Sequence, residues 1–158
     1  MSVLAVEHPR LTVVLVEDDD ADAKAMRRAL SGSTAAGTVL RAVDGVAALD
    51  LLRGAHGPMP DRFLVLTDIN MPRMDGLEFI RTLRADPDLH RAVVFLLTSS
   101  DTVEDREAAY DEHVAGYVLK QDHARFIELL NHYWTTVVLP EIRPGGDAHA
   151  RPDHLDRR

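Results

Sequence analysis

The sequence predicts an α/β domain: five parallel strands in one doubly wound sheet, in (βα)5 order, with helices on both faces. Three observations predict it. Short apolar, β-branched runs alternate with stretches whose apolar residues recur at helical spacing, the signature of strand–helix–strand units. The runs Leu11–Val16, Phe63–Thr67 and Ala92–Leu97 are nearly continuous rather than alternating, as strands covered on both faces are. Polar residues stand directly after the runs: Glu17-Asp18 after the first, Asp68 after the third, Thr98 after the fourth, Lys120 after the fifth. In a parallel sheet these positions share one edge, where open α/β sheets hold ligands.

Taken in order, residues 1–9 are a short lead-in and residues 10–140 the folded domain. Leu11–Val16 is the first strand. Asp19 or Asp20 caps a helix that buries Met26, Ala29 and Leu30. Ser31-Gly32-Ser33 stops it. Thr38–Val43 is the second strand, and Asp44-Gly45 opens a helix burying Val46, Leu49 and Leu52, with Gly54 as its C-terminal stop. Gly57-Pro58-Met59-Pro60 is a loop before the third strand, Phe63–Thr67.

The third helix buries Leu77, Ile80 and Leu83 and ends before Pro87. Ala92–Leu97 is the fourth strand. Asp101 with Glu104 reads as a capping box for the fourth helix. That helix has few large apolar residues and should be the least firmly packed. Gly116–Leu119 is the fifth strand. The last helix is extended, running from His123 to Leu139, where Pro140 stops it. Residues 141–158 read as a disordered polar tail, rich in Pro, Gly, Asp and Arg.

Composition narrows the function classes. The 158 residues suit one domain, 46% are hydrophobic, and the net charge is −8. That charge argues against a nucleic-acid or anionic-membrane surface, which needs a basic patch. There is no cysteine, so disulfides and thiolate chemistry are excluded. No apolar run reaches the roughly 20 residues that span a bilayer. The N-terminus MSVLAVEHPR lacks a secretory pattern, so a cytoplasmic location is expected. The histidines show no metal-ligand spacing.

The shared edge carries the chemistry. Glu17, Asp18 and Asp68 at close range repel one another unless a cation sits among them. Oxygen ligands with an open face suit Mg²⁺, which keeps waters and accepts phosphate oxygens. Thr98 and Lys120 add a hydroxyl and a charge for those same oxygens. The set reads as a phosphoryl-transfer site with a carboxylate acceptor, Asp68, where positioning and charge stabilisation dominate. The alternative is an acidic rim solvated at the sheet edge.

The combination of Glu17-Asp18, Asp68 in LTDINMPRMDG, Thr98 in FLLTSS, and Tyr117 and Lys120 in GYVLK resembles the receiver domain of two-component response regulators. That family has the flavodoxin-like fold. Thr98 lies 30 residues after Asp68, and Lys120 lies 22 after Thr98, spacings that also resemble the family. The resemblance implies that Asp68 accepts a phosphoryl group from a sensor histidine kinase. It implies Mg²⁺ bound by Asp18, Asp68 and the main-chain carbonyl of Asn70, with Glu17 acting through water. Thr98 and Tyr117 would be the switch pair, and Asn70 and Ser100 would flank the path of the water that removes the phosphoryl group. It implies a signalling module rather than an enzyme, beyond Mg²⁺-dependent autophosphorylation and autodephosphorylation. Output would pass through protein contacts.

Two residues depart from the family. Lys120 precedes Gln121 where the family has a proline in a cis peptide, so this bond is either trans or strained. The leading acid is Glu17, one methylene longer than Asp. A haloacid dehalogenase-type phosphatase, also built on an Asp nucleophile, is the alternative reading. It needs a second Asp where Asn70 stands. A flavin carrier would meet repulsion from Glu17-Asp18-Asp19-Asp20.

The last helix is apolar over about half its circumference, more than one sheet covers. Phe126, Leu130, Tyr133, Trp134, Val137, Val138, Leu139 and Pro140 are expected to form a homodimer surface, or else to lie under the tail. The ending Tyr-Trp-Thr-Thr-Val-Val-Leu-Pro resembles that of single-domain regulators paired with phytochromes, in which it supports a homodimer. The resemblance implies a phytochrome-like kinase as partner.

Overall fold

The computed structural model describes residues 10–142; the lead-in 1–9 and the tail from 143 onward lie outside the described residues. The element order is β1 (Leu11–Val16), α1 (Asp20–Ser31), β2 (Ala36–Ala42), α2 (Gly45–Leu52), β3 (Phe63–Thr67), α3 (Gly76–Ala85), β4 (Val93–Thr98), α4 (Val103–Asp111), β5 (Gly116–Leu119) and α5 (His123–Thr136). A 3₁₀ turn, Lys120–Asp122, joins β5 to α5. All strands pair in parallel, in the order β2-β1-β3-β4-β5. The order reverses between β1 and β3, which opens a crevice at the carboxyl ends of those two strands.

Side chains alternate across the pleat. Val14, Val16, Val65 and Leu96 pack with Leu49 and Leu52 of α2, Phe79, Ile80 and Leu83 of α3 and Ala109 of α4. Val13, Leu15, Leu64, Leu66 and Leu97 pack with Met26 and Leu30 of α1 and Phe126 and Leu130 of α5. Central strands buried on both faces explain their continuous apolar runs. Each such Val or Leu stabilises the fold by about 1.5–3 kcal/mol.

The helix starts follow capping chemistry. Asp19, Asp44, Asp75 and Thr102 each accept a hydrogen bond from the backbone N–H three residues on, satisfying a donor that the helix leaves open. The fourth cap corrects the expected Asp101–Glu104 pair: Thr102 takes the position one residue later, and Asp101 pairs instead with Arg106 at 2.7 Å. Gly54 takes a φ of +83° just past α2, the left-handed stop that glycine adopts without strain. β2 begins two residues earlier than expected, at Ala36, which is buried. α4 buries only Ala109, as its sparse apolar pattern implied.

The last helix departs most from expectation. α5 ends at Thr136, and Val137 is already extended. Leu139 then packs with the α1/α5 layer and Ile142 with the opposite layer. The chain thus crosses the amino-terminal edge of the sheet, anchored by Ile142 N–H donating to Asp61 O at 2.7 Å. Packed residues therefore continue past the expected boundary at 140, to Ile142, the last described residue. Much of the expected surplus surface is internal: Phe126, Leu130 and Leu139 are buried, and Tyr133 and Trp134 pack partly against the core. Phe95 meets both Phe126 and Tyr133 edge-on, an arrangement favoured by ring quadrupoles. Among these residues Val138 stands out, 82% exposed.

Candidate functional site

β1 ends in Val16 and β3 in Thr67, both strands turning into loops at the crevice. Parallel pairing sets Val16 beside Thr67, so the residues that follow, Glu17-Asp18 and Asp68, are neighbours. One carboxylate oxygen from each of Glu17, Asp18 and Asp68 lies within 4.8 Å of the others. Glu17 and Asp68 are buried and Asp18 is exposed. Burial raises the Glu17 pKa above its ordinary value, and Asp68 adds repulsion. Hydrogen bonds from Lys120 and the Asp19 N–H oppose this. Three like charges in a half-open, oxygen-only site fit a hard divalent cation.

Asp68 is held at both oxygens. Oδ1 accepts from the Ile69 N–H at 2.7 Å, and Oδ2 accepts from Lys120 Nζ at 3.0 Å. Lys120 also reaches Glu17 at 2.8 Å and Asp22, on the first turn of α1, at 2.6 Å. Burial works to lower the Lys120 pKa, but the bonds to Asp22, Glu17 and Asp68 outweigh it and hold the ammonium charged well above its ordinary range. The Lys120–Gln121 peptide is trans, since the described residues contain no cis peptide. The chain enters the 3₁₀ turn directly, and Lys120 still reaches Asp68. A cleft of about 340 Å³ opens here between α1 and the β5–α5 junction, walled by Asp22, Met26, Asp68, Lys120, Gln121 and His123.

Two arginines that the sequence reading did not single out brace the loops. Arg41 of β2 donates to the main-chain oxygens of Glu17 and Asp18 at 3.1 and 3.3 Å and pairs with Asp20 at 2.7 Å. Arg73, at a φ of +65° in the β3–α3 loop, donates to the two oxygens of buried Asp44 at 2.6 and 3.0 Å. The fork holds the Asp44 carboxyl below the usual carboxylate range; burial opposes this and the Ala47 N–H assists it. The signal for both was weak, because each arginine meets its partner only after the chain folds. Asn70 lies exposed in the same loop.

The expected switch residues lie side by side. Buried Thr98 accepts at Oγ1 from the Ser100 N–H at 3.2 Å. Tyr117, half-buried, donates its hydroxyl to the Ser100 carbonyl. The Ser100 hydroxyl turns to α4, donating to Asp105 at 2.7 Å. Thr98, Ser100 and Tyr117 thus form one network between β4, β5 and α4. The residues from Phe126 to Pro140 take no part in the site.

A receiver is what this fold and this edge define, and the chain belongs to the response regulator receiver domain family, whose model matches residues 13–131. It is a two-component, phosphoryl-accepting regulator, and the haloacid dehalogenase alternative finds no support. The chain is 33% identical over 140 residues to response regulator Rcp1 of Synechocystis, covering 84% of this chain and 95% of that protein. Its fold is similar to the phosphorylated cyanobacterial phytochrome response regulator RcpA (TM-score 0.71, 31% identity, 84% of this chain and 100% of that one). It is also similar to the Mn²⁺-bound form of Rcp1 (TM-score 0.72, 33% identity, 84% and 99%). Among the described residues no helix is long and apolar enough to cross a membrane.

Proposed function

We propose that this protein is cytoplasmic and that Asp68 accepts the phosphoryl group from a phytochrome-like sensor histidine kinase, with Mg²⁺ held by Asp18, Asp68 and the Asn70 carbonyl. One observation carries this reading: the Asp68 carboxylate ends a central strand within 4.8 Å of two other carboxylate oxygens and against one ammonium. In the transfer an Asp68 oxygen bonds to phosphorus as the phosphorus–nitrogen bond of a phosphohistidine breaks. The bonding pair returns to the imidazole, which takes a proton from solvent. Lys120 moves its hydrogen bond to a phosphoryl oxygen, and Thr98 offers its hydroxyl to another. A cation held by Asp18, Asp68 and the Asn70 carbonyl would supply charge neutralisation. RcpA is named as a phytochrome response regulator, which supports the kinase class.

The same reading includes a homodimer through α5, the β5 face beside it and the apolar residues that follow to Pro140. Val138 is 82% exposed and Leu129 51%, apolar surface that a second copy would cover. Sedimentation at tens of micromolar, with Val138→Asp as the disrupting variant, tests it; a monomeric wild type overturns it. Asp68 is tested by intact mass after acetyl phosphate and Mg²⁺. A phosphoryl adduct is expected in wild type and absent in Asp68→Asn, and an adduct that persists in the variant overturns the assignment.

A further inference from the structure

Lys120 has three ammonium protons and three carboxylate partners: Asp22 at 2.6 Å, Glu17 at 2.8 Å and Asp68 at 3.0 Å. Glu17 and Asp68 belong to the cluster that fits a cation. Asp22 does not. It sits on the first turn of α1, its N–H donating to the Asp19 cap at 2.8 Å, where the helix dipole already favours a carboxylate. Its side chain is 49% exposed. Asp22 and Lys120 together wall the cleft beside Asp68.

We propose that Asp22 is a positioning residue that sets how the Lys120 ammonium is shared between α1 and the acceptor. This rests on Asp68 being the acceptor. A group that puts negative charge on Asp68 must compete with Asp22 for the ammonium, so Asp22 weakens the hold on it. Before that, Asp22 draws Lys120 away from Glu17 and Asp68, which lessens its competition with a divalent cation. One residue therefore acts with opposite sign on the two ligands.

The test uses the full chain and two probes, Mg²⁺ alone and beryllofluoride with Mg²⁺, titrated by NMR. Asp22→Asn is expected to bind Mg²⁺ about two- to fivefold more weakly and beryllofluoride about two- to fivefold more tightly, the scale of one half-exposed ion pair. Both shifts should shrink in high salt, and Asp22→Glu should recover part of the wild-type balance. In a Lys120→Met background, or Lys120→Ala should that variant misfold, the Asp22→Asn shifts should vanish. Equal shifts with and without Lys120 would show that Asp22 acts only as diffuse charge, which overturns the proposal, as does the absence of any shift. A wild type that binds Mg²⁺ but not beryllofluoride defeats the acceptor reading itself, and the Asp22 inference with it.

Discussion

Gly76 lies against Asp68: a Cβ built on Gly76 would stand 2.0 Å from the Asp68 carbonyl oxygen and 2.9 Å from Ile69 Cα. The Gly76 N–H closes the loop onto Ile69 O at 2.7 Å. The glycine after Asp75 therefore lets α3 begin directly behind Asp68. Gly76→Ala must push backbone apart. We expect a loss of about 1–3 kcal/mol of stability, the usual cost of overpacking, and slower phosphoryl uptake. Urea unfolding and intact-mass kinetics check this; an unperturbed variant contradicts the close-approach argument.

Asp44 caps α2 and receives the Arg73 fork. Asp44→Ala should cost about 1 kcal/mol from the lost cap alone, more with Arg73 left unpaired. The pH dependence has a definite sign. The folded pKa of Asp44 is lowered, so the stabilisation is present above its ordinary value of 3.8 and is lost as pH falls through the folded value. The stability gap between wild type and Arg73→Ala should therefore be visible at pH 7 and shrink as pH falls below 3.8 through the lowered folded value. A gap that persists in acid would assign it to packing.

Asp18 is the exposed member of the carboxylate cluster. Asp18→Ala should lower Mg²⁺ affinity at least tenfold and abolish phosphoryl uptake while the fold is kept. Without cation the variant should be as stable as wild type or more so, because one of three repelling charges is gone. Calorimetric titration decides: unchanged Mg²⁺ affinity counts against Asp18 as a ligand.

Ser100 gives its hydroxyl to Asp105 and its carbonyl accepts from Tyr117; we propose that it is too short to hold a water over Asp68, as a longer amide or acid would. Ser100→Gln or Ser100→Glu should shorten the phosphoryl lifetime severalfold. Ser100→Ala should leave the lifetime near wild type while loosening α4. A lifetime indifferent to all three changes removes Ser100, and with it the water path beside Asn70, from the dephosphorylation step.

What the sequence by itself determined was the sheet and its chemical edge. Strands buried on both faces must be apolar at consecutive positions, so Leu11–Val16 and Phe63–Thr67 announce themselves. Polar residues that follow them can only fall at the carboxyl edge, which places Glu17, Asp18, Asp68, Thr98 and Lys120 together. Only the tertiary structure decided where α5 stops. Val137 and Val138 continue an apolar run, and nothing local distinguishes a helix that goes on from a chain that turns to carry Leu139 and Ile142 across the sheet edge. It also decided the partners of Asp22, Arg41 and Arg73. Lys120 meets Asp22 across 98 residues, Arg41 meets Glu17 across 24, and Arg73 meets Asp44 across 29. Surface charges are compatible with many neighbours, so their pairing is chosen by the fold that brings the loops together and not by any pattern along the chain.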